Sequence, residues 1–394
     1  MKQTTPIFIG RILFLLFLLT LSGCKSLPVE PQMRFDAVSW NDLSGWREDA
    51  LNEAFPAWLL SCRALTKSTK SRAQWENVCN VAQKIDPDNP IQVRAYFEQY
   101  FVPHRVIVES QASGVVREGL ITGYYEPIVH GSRVPTERFR YPVYARPDDL
   151  LTVELDALFP ELKGKVVRGR LVGNKVVPYF PRETLDQPHA RVNALVLCYM
   201  EDIMDVFFLQ VQGSGRVLLE DGTLLRVGYS DQNGHPYRAI GGVLVARGEI
   251  PKEKMSMQAI RRWGEEHPKA VPELLNQNPS YVFFRELPPS TDALDLSVNG
   301  PIGALGVPLL ANRAIAVDRN KLPLGAPVFI ATTLPDQTPL KRLTMAQDTG
   351  GAIAGALRAD FFFGSGDGAG ALAGEMKNAG QLWVLLPKDG FAQK

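Results

Sequence analysis

The stretch Gln347-Asp348-Thr349-Gly350-Gly351-Ala352-Ile353-Ala354-Gly355, followed by Arg358-Ala359-Asp360-Phe361-Phe362-Phe363-Gly364, decides the reading of this chain. Two aspartates stand there among glycines and apolar runs. A third, Asp318, lies upstream in Ala316-Val317-Asp318-Arg319, ahead of Pro323-Leu324-Gly325. Glycines let a backbone pass close to a ligand and take turns closed to other residues. The apolar runs read as strands: Ala314 to Val317, Val328 to Ile330, Phe361 to Phe363 and Trp383 to Leu386. A carboxyl beside three phenylalanines is partly desolvated, which raises its pKa and keeps it protonated. A general acid needs that state. The plainer role of an aspartate in a Gly-rich loop is to cap a turn by accepting backbone amides. Both readings are open for Asp318, Asp348 and Asp360.

Upstream of about residue 105 the pattern is helical. Trp46, Leu51, Phe55, Trp58 and Leu59 recur at helical spacing, as do Trp75, Val78 and Cys79, then Val93, Tyr96, Phe97 and Phe101. From Val106 to Tyr229 the chain changes to short β-branched and aromatic runs cut by Gly, Pro, Asn and Asp. Leu120 to Tyr125, Val206 to Val211 and Arg216 to Leu219 are examples of this barrel or sandwich pattern. A helix returns at Ser256 to Glu266, with Met257, Ile260 and Trp263 on one face and Ser256 as its N-cap. A last short helix is expected at Ala369 to Lys377, starting near Asp367. The expected class is mainly β with N-terminal helices.

The chain has 394 residues, enough for two domains of ordinary size. Its net charge of +1 argues against nucleic acid as a partner, since phosphate binding needs concentrated positive charge. Near the N-terminus, Lys2 and Arg11 precede an apolar run from Ile12 to Leu21, which ends in Leu21-Ser22-Gly23-Cys24. That is secretory-signal grammar, and the run is shorter than a spanning helix. The cysteine after Leu-Ser-Gly resembles the lipobox of bacterial lipoproteins. The resemblance implies a signal peptide over 1–23, a lipid on Cys24 and a tether over 24–40. Lys25 stands where an Asp favours inner-membrane retention, so the outer membrane, facing the periplasm, is the expected location. An oxidising compartment makes a Cys62–Cys79 disulfide plausible. Cys198 reads as an inert core thiol. His104, His130, His189, His235 and His267 are scattered and no HExxH occurs, so neither zinc nor any other metal or cofactor is expected.

Several segments carry a family resemblance. Ala314 to Pro387 is similar to the domain named for its three aspartates, a six-stranded double-psi β-barrel. Thr122-Gly123-Tyr124-Tyr125-Glu126-Pro127, Val211-Gln212-Gly213-Ser214-Gly215, Asn233-Gly234-His235-Pro236-Tyr237-Arg238, Ser256-Met257-Gln258-Ala259-Ile260-Arg261 and Asn278-Pro279-Ser280-Tyr281-Val282-Phe283-Phe284 resemble, in order, the membrane-bound lytic murein transglycosylase A type. The resemblance covers nearly everything from about 120 onward. It implies cleavage of the β-1,4 bond between N-acetylmuramic acid and N-acetylglucosamine in peptidoglycan, without water, leaving a 1,6-anhydro end. It also implies two domains, with a catalytic barrel and a second β-domain inserted in the chain. Helical segment and first barrel part would occupy 41–126, the insert 127–285 and the catalytic barrel 286–394, with glycan in the groove between. Ala354 departs from the lysine that family members often carry there.

The catalytic position carried over is Asp360, with Asp348 as its support. A lytic transglycosylase needs one acid–base group, whereas an ordinary glycosidase needs a second carboxylate. Asp348 as that second group, in a water-using hydrolase, is the first alternative. A non-catalytic wall-binding lipoprotein is the second. Tyr124, Gln212 and Ser214 are the candidate sugar contacts from their motif positions. Tyr125, Tyr237 and Phe283 are candidate stacking platforms, and Gly213 and Gly215 suit a tight β-turn.

Overall fold

The protein is described here from a computed structural model covering residues 32–110, 114–162, 167–187 and 192–388. The signal segment, Cys24 and His189 lie outside the described residues. No helix among them is long and apolar enough to cross a membrane.

Three helices open the compact part. Leu51–Lys67 buries Leu51, Phe55, Trp58, Cys62 and Leu65 along one stripe. Arg72–Ala82 is joined to it by the Cys62–Cys79 disulfide, with an S–S distance of 2.13 Å. Pro90–Tyr100 starts where Asn89 accepts the amides of Ile91 and Gln92, with Pro at the first position. Trp58 Nε1 donates to the Tyr96 hydroxyl at 2.9 Å, and that hydroxyl donates to Val78 O at 2.9 Å, so one chain of bonds ties all three helices. Trp46 falls in the turn ahead of the first helix and donates to Glu98 Oε1 at 2.9 Å.

The strands follow in chain order. β1 (Gln32–Ala37), β2 (Phe101–Ser110), β3 (Gly114–Val116) and β4 (Gly119–Glu126) precede the insert. The insert holds β5 (Ile128–Ser132), β6 (Tyr141–Tyr144), β7 (Leu151–Val153), β8 (Val167–Val172), β9 (Lys175–Pro178), β10 (Val196–Met200), β11 (Ser214–Leu219), β12 (Leu224–Gln232) and β13 (Val282–Glu286). The last five are β14 (Ala314–Val317), β15 (Pro327–Thr333), β16 (Pro339–Asp348), β17 (Ala359–Ser365) and β18 (Lys377–Pro387).

Six of these close on themselves in the order β18-β15-β16-β14-β17-β4, with β4 pairing back to β18. Two pairings, β14 with β16 and β17 with β4, are parallel, and the rest are antiparallel. One barrel strand, β4, is therefore separated in the sequence from the other five by the whole insert. The barrel interior is continuous with the helical core: Trp58, Phe97, Val328, Phe329, Phe361 and Trp383 belong to one apolar cluster. In the insert, β13-β12-β11-β5-β10-β6 form a second sheet and β7-β8-β9 a small third one.

Three expectations are corrected. The tether expected over 24–40 is partly a strand: β1 pairs with β2 from Gln32↔Glu109 to Ala37↔His104. Met33 and Phe35 pack on the barrel core, while Arg34 ion-pairs with Asp36 and Glu109 outside. Val206 to Val211 is not a strand but lies in the helix Ile203–Gln212. Asp202 caps it by accepting Met204 N at 2.9 Å. Met204, Phe207 and Phe208 enter one core and Val206 and Leu209 another. A short helix buried on two sides carries the same continuous apolar run as a buried strand. The turn expected at Gly213 is the end of that helix, closed by Gly213 at φ +77°. The helix at Met257–Glu266 has the expected cap, with Ser256 Oγ accepting Ala259 N at 3.1 Å.

Candidate active site

The pairing of the barrel strands sets the site. Asp360 on β17 lies opposite Thr122 on β4 and Ala316 on β14. Ala316 in turn lies opposite Asp348, the last residue of β16, and Thr122 opposite Lys377 on β18. Directly opposed residues share a face. Lys377, Thr122, Asp360, Ala316 and Asp348 thus make one row across five strands. The two carboxylates stand two strands apart, about 10 Å between their Cα atoms. A register shift in β16 decides which residue joins the row. Gln347 turns inward instead, where its Nε2 donates to Ala57 O at 2.7 Å and Ser61 Oγ at 2.9 Å.

Period-two alternation also sorts the phenylalanines. Phe361 and Phe363 enter the barrel core, while Phe362 shares the face of Asp360 and packs with Tyr124, ring centroids 5.1 Å apart. The expected wall of three rings beside the carboxyl is one ring, because neighbouring strand residues point opposite ways.

Asp360 is half-buried: protein atoms crowd its carboxyl, and part of the residue still meets solvent. Burial pushes its pKa up to about 6; the Thr122 hydrogen bond and the Arg358 charge pull it down, and the Asp348 charge adds to the rise. Thr122 Oγ1 donates to Asp360 Oδ1 at 2.5 Å, and Arg358 Nη2 donates to the same Oγ1 at 2.7 Å. Asp348 is occupied differently. Its Oδ1 accepts Ala304 N and Thr349 N, both at 2.9 Å. Burial raises its pKa, and the two amides and the Tyr124 hydroxyl oppose the rise. The Tyr124 hydroxyl stops short of hydrogen-bond geometry with any group, yet its pKa is raised, first by burial and then by the charges of Asp348 and Asp360. Asp318 is a turn former. It accepts Asn320 N at 3.0 Å and Gly355 N at 2.9 Å, and so pins the loop that carries exposed Ala354.

A buried joint lies at the end of β4. Glu126 accepts Arg216 Nε at 2.7 Å and Ser365 Oγ at 2.6 Å, and the Arg216 guanidinium also reaches Asn299 O. Gln212 Oε1 accepts Tyr125 N at 3.2 Å. Two motifs nearly ninety residues apart in the chain, around Tyr124 and around Gln212, therefore meet here. Ser214 is half-buried beside them at the start of β11. Two of the expected stacking platforms are corrected. Phe283 is 0% exposed and packs with Tyr179 and Tyr281, and Tyr125 is 7% exposed in the barrel core. Tyr237 stays open at 44%. Thr122, Arg358 and Glu126 were not singled out from the sequence. Arg358 had a legible signal, since it stands two residues before Asp360, immediately ahead of the strand. A cavity of about 540 Å³ lined by Glu48, Glu53, Arg313 and Lys341 contains no residue of the row.

Residues 120–285 match the family described as the MltA specific insert domain, and residues 313–386 match the 3D domain. The chain is 37% identical over 278 residues to membrane-bound lytic murein transglycosylase A of Escherichia coli K12, covering 68% of this chain and 66% of that protein. The crystal structure of MltA from Neisseria gonorrhoeae is 36% identical and covers 91% of this chain and 93% of that one, with a TM-score of 0.76. E. coli MltA with bound chitohexaose is 28% identical and covers 92% and 95%, with a TM-score of 0.64. The chain belongs to the membrane-bound lytic murein transglycosylase A family, a family of peptidoglycan-cleaving lyases.

Proposed function

We propose that this protein cleaves the MurNAc–GlcNAc bond of peptidoglycan with Asp360 as its one acid–base group. Neutral Asp360 protonates the glycosidic oxygen, and the C1–O bond breaks. The resulting carboxylate takes the proton of the muramic C6 hydroxyl as that oxygen closes on C1, giving the 1,6-anhydro end. No water is consumed and Asp360 ends protonated, as it began. The observation that carries the reading is a half-open carboxyl with a pKa pushed up to about 6, beside a second carboxylate already engaged by two backbone amides. An acid titrating near the working pH is what proton transfer in both directions requires. Tyr124, Gln212, Ser214 and Tyr237 are the proposed glycan contacts, in the groove between the barrel and the insert over 127–285. The bound chitohexaose of the E. coli relative supports a long glycan as ligand.

The relatives' description as membrane-bound supports membrane association. The finer reading is a lipid on Cys24 and the periplasmic face of the outer membrane. Mass spectrometry of muropeptides released from purified sacculi tests the reaction. Anhydro ends are expected; reducing ends would replace the lyase by the two-carboxylate hydrolase.

A further inference from the structure

We infer that Arg358 and Thr122 are positioning residues that assign the acidic proton of Asp360 to one oxygen, Oδ2. The inference rests on the reading of Asp360 as the acid and deepens it. A guanidinium only donates, so the Arg358 contact at 2.7 Å supplies a hydrogen to Thr122 Oγ1. The Thr122 hydroxyl has one hydrogen of its own, and Asp360 Oδ1 lies 2.5 Å away on the other side. That hydrogen therefore points at Oδ1. For the carboxylate this is the only arrangement, because a carboxylate only accepts. For the neutral acid, a proton on Oδ1 would face an oxygen already receiving an N–H, and the Thr122 hydrogen would be stranded. An unmade bond at a half-buried donor is unfavourable. The proton sits on Oδ2.

Arg358 is itself held, since Nη1 donates to Ala359 O at 2.7 Å and Leu120 O at 3.2 Å. Its guanidinium is fixed by carbonyls of two neighbouring barrel strands, β17 and β4, and fixes the Thr122 hydroxyl. The same oxygen, Oδ2, then gives the proton to the glycosidic oxygen and later receives the C6 proton, while Oδ1 keeps its bond to Thr122 through both steps. The charged groups around Asp360 come from several elements. Arg358 lies just ahead of β17, Tyr124 comes from β4, Asp348 from β16, and Lys377 from β18 at the end of the row. Segment 299–312, which holds Asp348 through Ala304, has no ionisable side chain. Asp367 and Glu375 belong to the helix packed against the inward face of β4 and β17. Arg358 is the cation whose charge lowers the pKa of Asp360.

The test uses the folded enzyme on purified sacculi, with a carbon-13 label on aspartate carboxyls read by NMR. Thr122→Val removes the hydroxyl at nearly constant volume, Thr122→Ser keeps it, and Arg358→Leu removes the upstream donor. Thr122→Val and Arg358→Leu are expected to lower kcat about tenfold with KM unchanged. Both are also expected to raise the pH at which Asp360 titrates and to move the falling limb of the pH–rate profile the same way. Thr122→Ser should restore both readouts. Unchanged kcat and titration in Thr122→Val and Arg358→Leu would overturn the inference, as would a Thr122→Ser enzyme as impaired as Thr122→Val. If one variant fails to fold, the other carries the same expectation. Activity retained in Asp360→Asn would overturn the acid assignment instead, and the NMR titration would still read the relay.

Discussion

Asp360 is held in a state that disfavours its charge, and this has a consequence for stability. Its folded pKa is raised to about 6, above the ordinary aspartate value of about 3.9. Between those two values the native state holds more protons than the unfolded one, so stability falls as pH rises from about 4 to 6 and stays lower above that. Two pH units correspond to about 3 kcal/mol at most, and the partial exposure of Asp360 reduces this to about 1–2 kcal/mol. Asp360→Asn cannot ionise. It should abolish muropeptide release and melt a few degrees higher than wild type at pH 7.5; scanning calorimetry checks the sign, and a lower melting point would refute the burial argument. At Asp348, substitution by Asn keeps an oxygen for the Ala304 and Thr349 amides. Turnover should drop about tenfold, with anhydro ends kept. A total loss with reducing-end products would instead make Asp348 the second catalytic carboxylate. Asp318 and Asp360 were alike as text, each an aspartate at one end of an apolar run. Strand register separated them, giving one to a turn and the other to the row.

Among the elements, β4 packs closely against the helix Asp367–Glu375 beside the site. A Cβ built on Gly123 would stand 2.5 Å from Phe363 Cε2 and 2.9 Å from the Ala373 Cα. Gly123→Val should therefore push the helix off β4 and carry Thr122 and Tyr124 with it. We expect a stability loss of about 1–3 kcal/mol by urea titration, together with loss of turnover. Wild-type behaviour would mean that the helix can retreat freely. The glycine's neighbours in its motif were readable from the sequence, whereas its reason, a backbone passing a phenyl ring and a helix, needed the packed structure. Helix Ile203–Gln212 shows the converse limit. Its apolar run has no helical polarity to read, because both of its faces are buried.

For the whole molecule, the disulfide and the barrel closure act on different scales. The Cys62–Cys79 bridge closes a loop of 17 residues, and its reduction should lower stability by about 3 kcal/mol in the loop-entropy picture. Melting with and without reductant measures this. Thiol labelling of unfolded, unreduced protein should find one reactive group, Cys198, whose pKa burial pushes up to about 12 in the fold. Exhaustive EDTA should leave activity intact. Among the described residues no three His, Cys, Asp or Glu side chains gather as ligands, and an aspartate held ionised by a cation cannot protonate a glycosidic oxygen. Activity lost to EDTA and restored by magnesium would sink the single-acid mechanism. By itself the sequence determined the N-terminal helices, most barrel strands and the family. Periodicity, capping residues and motif text are local, and they survive without coordinates. Only the tertiary structure decided that β4 closes the barrel, that Asp348 rather than Gln347 faces outward, that Phe283 is core, and that Arg358 and Thr122 hold Asp360. Those facts depend on strand register between segments up to about 240 residues apart, and a shift of one residue exchanges the two faces of a strand.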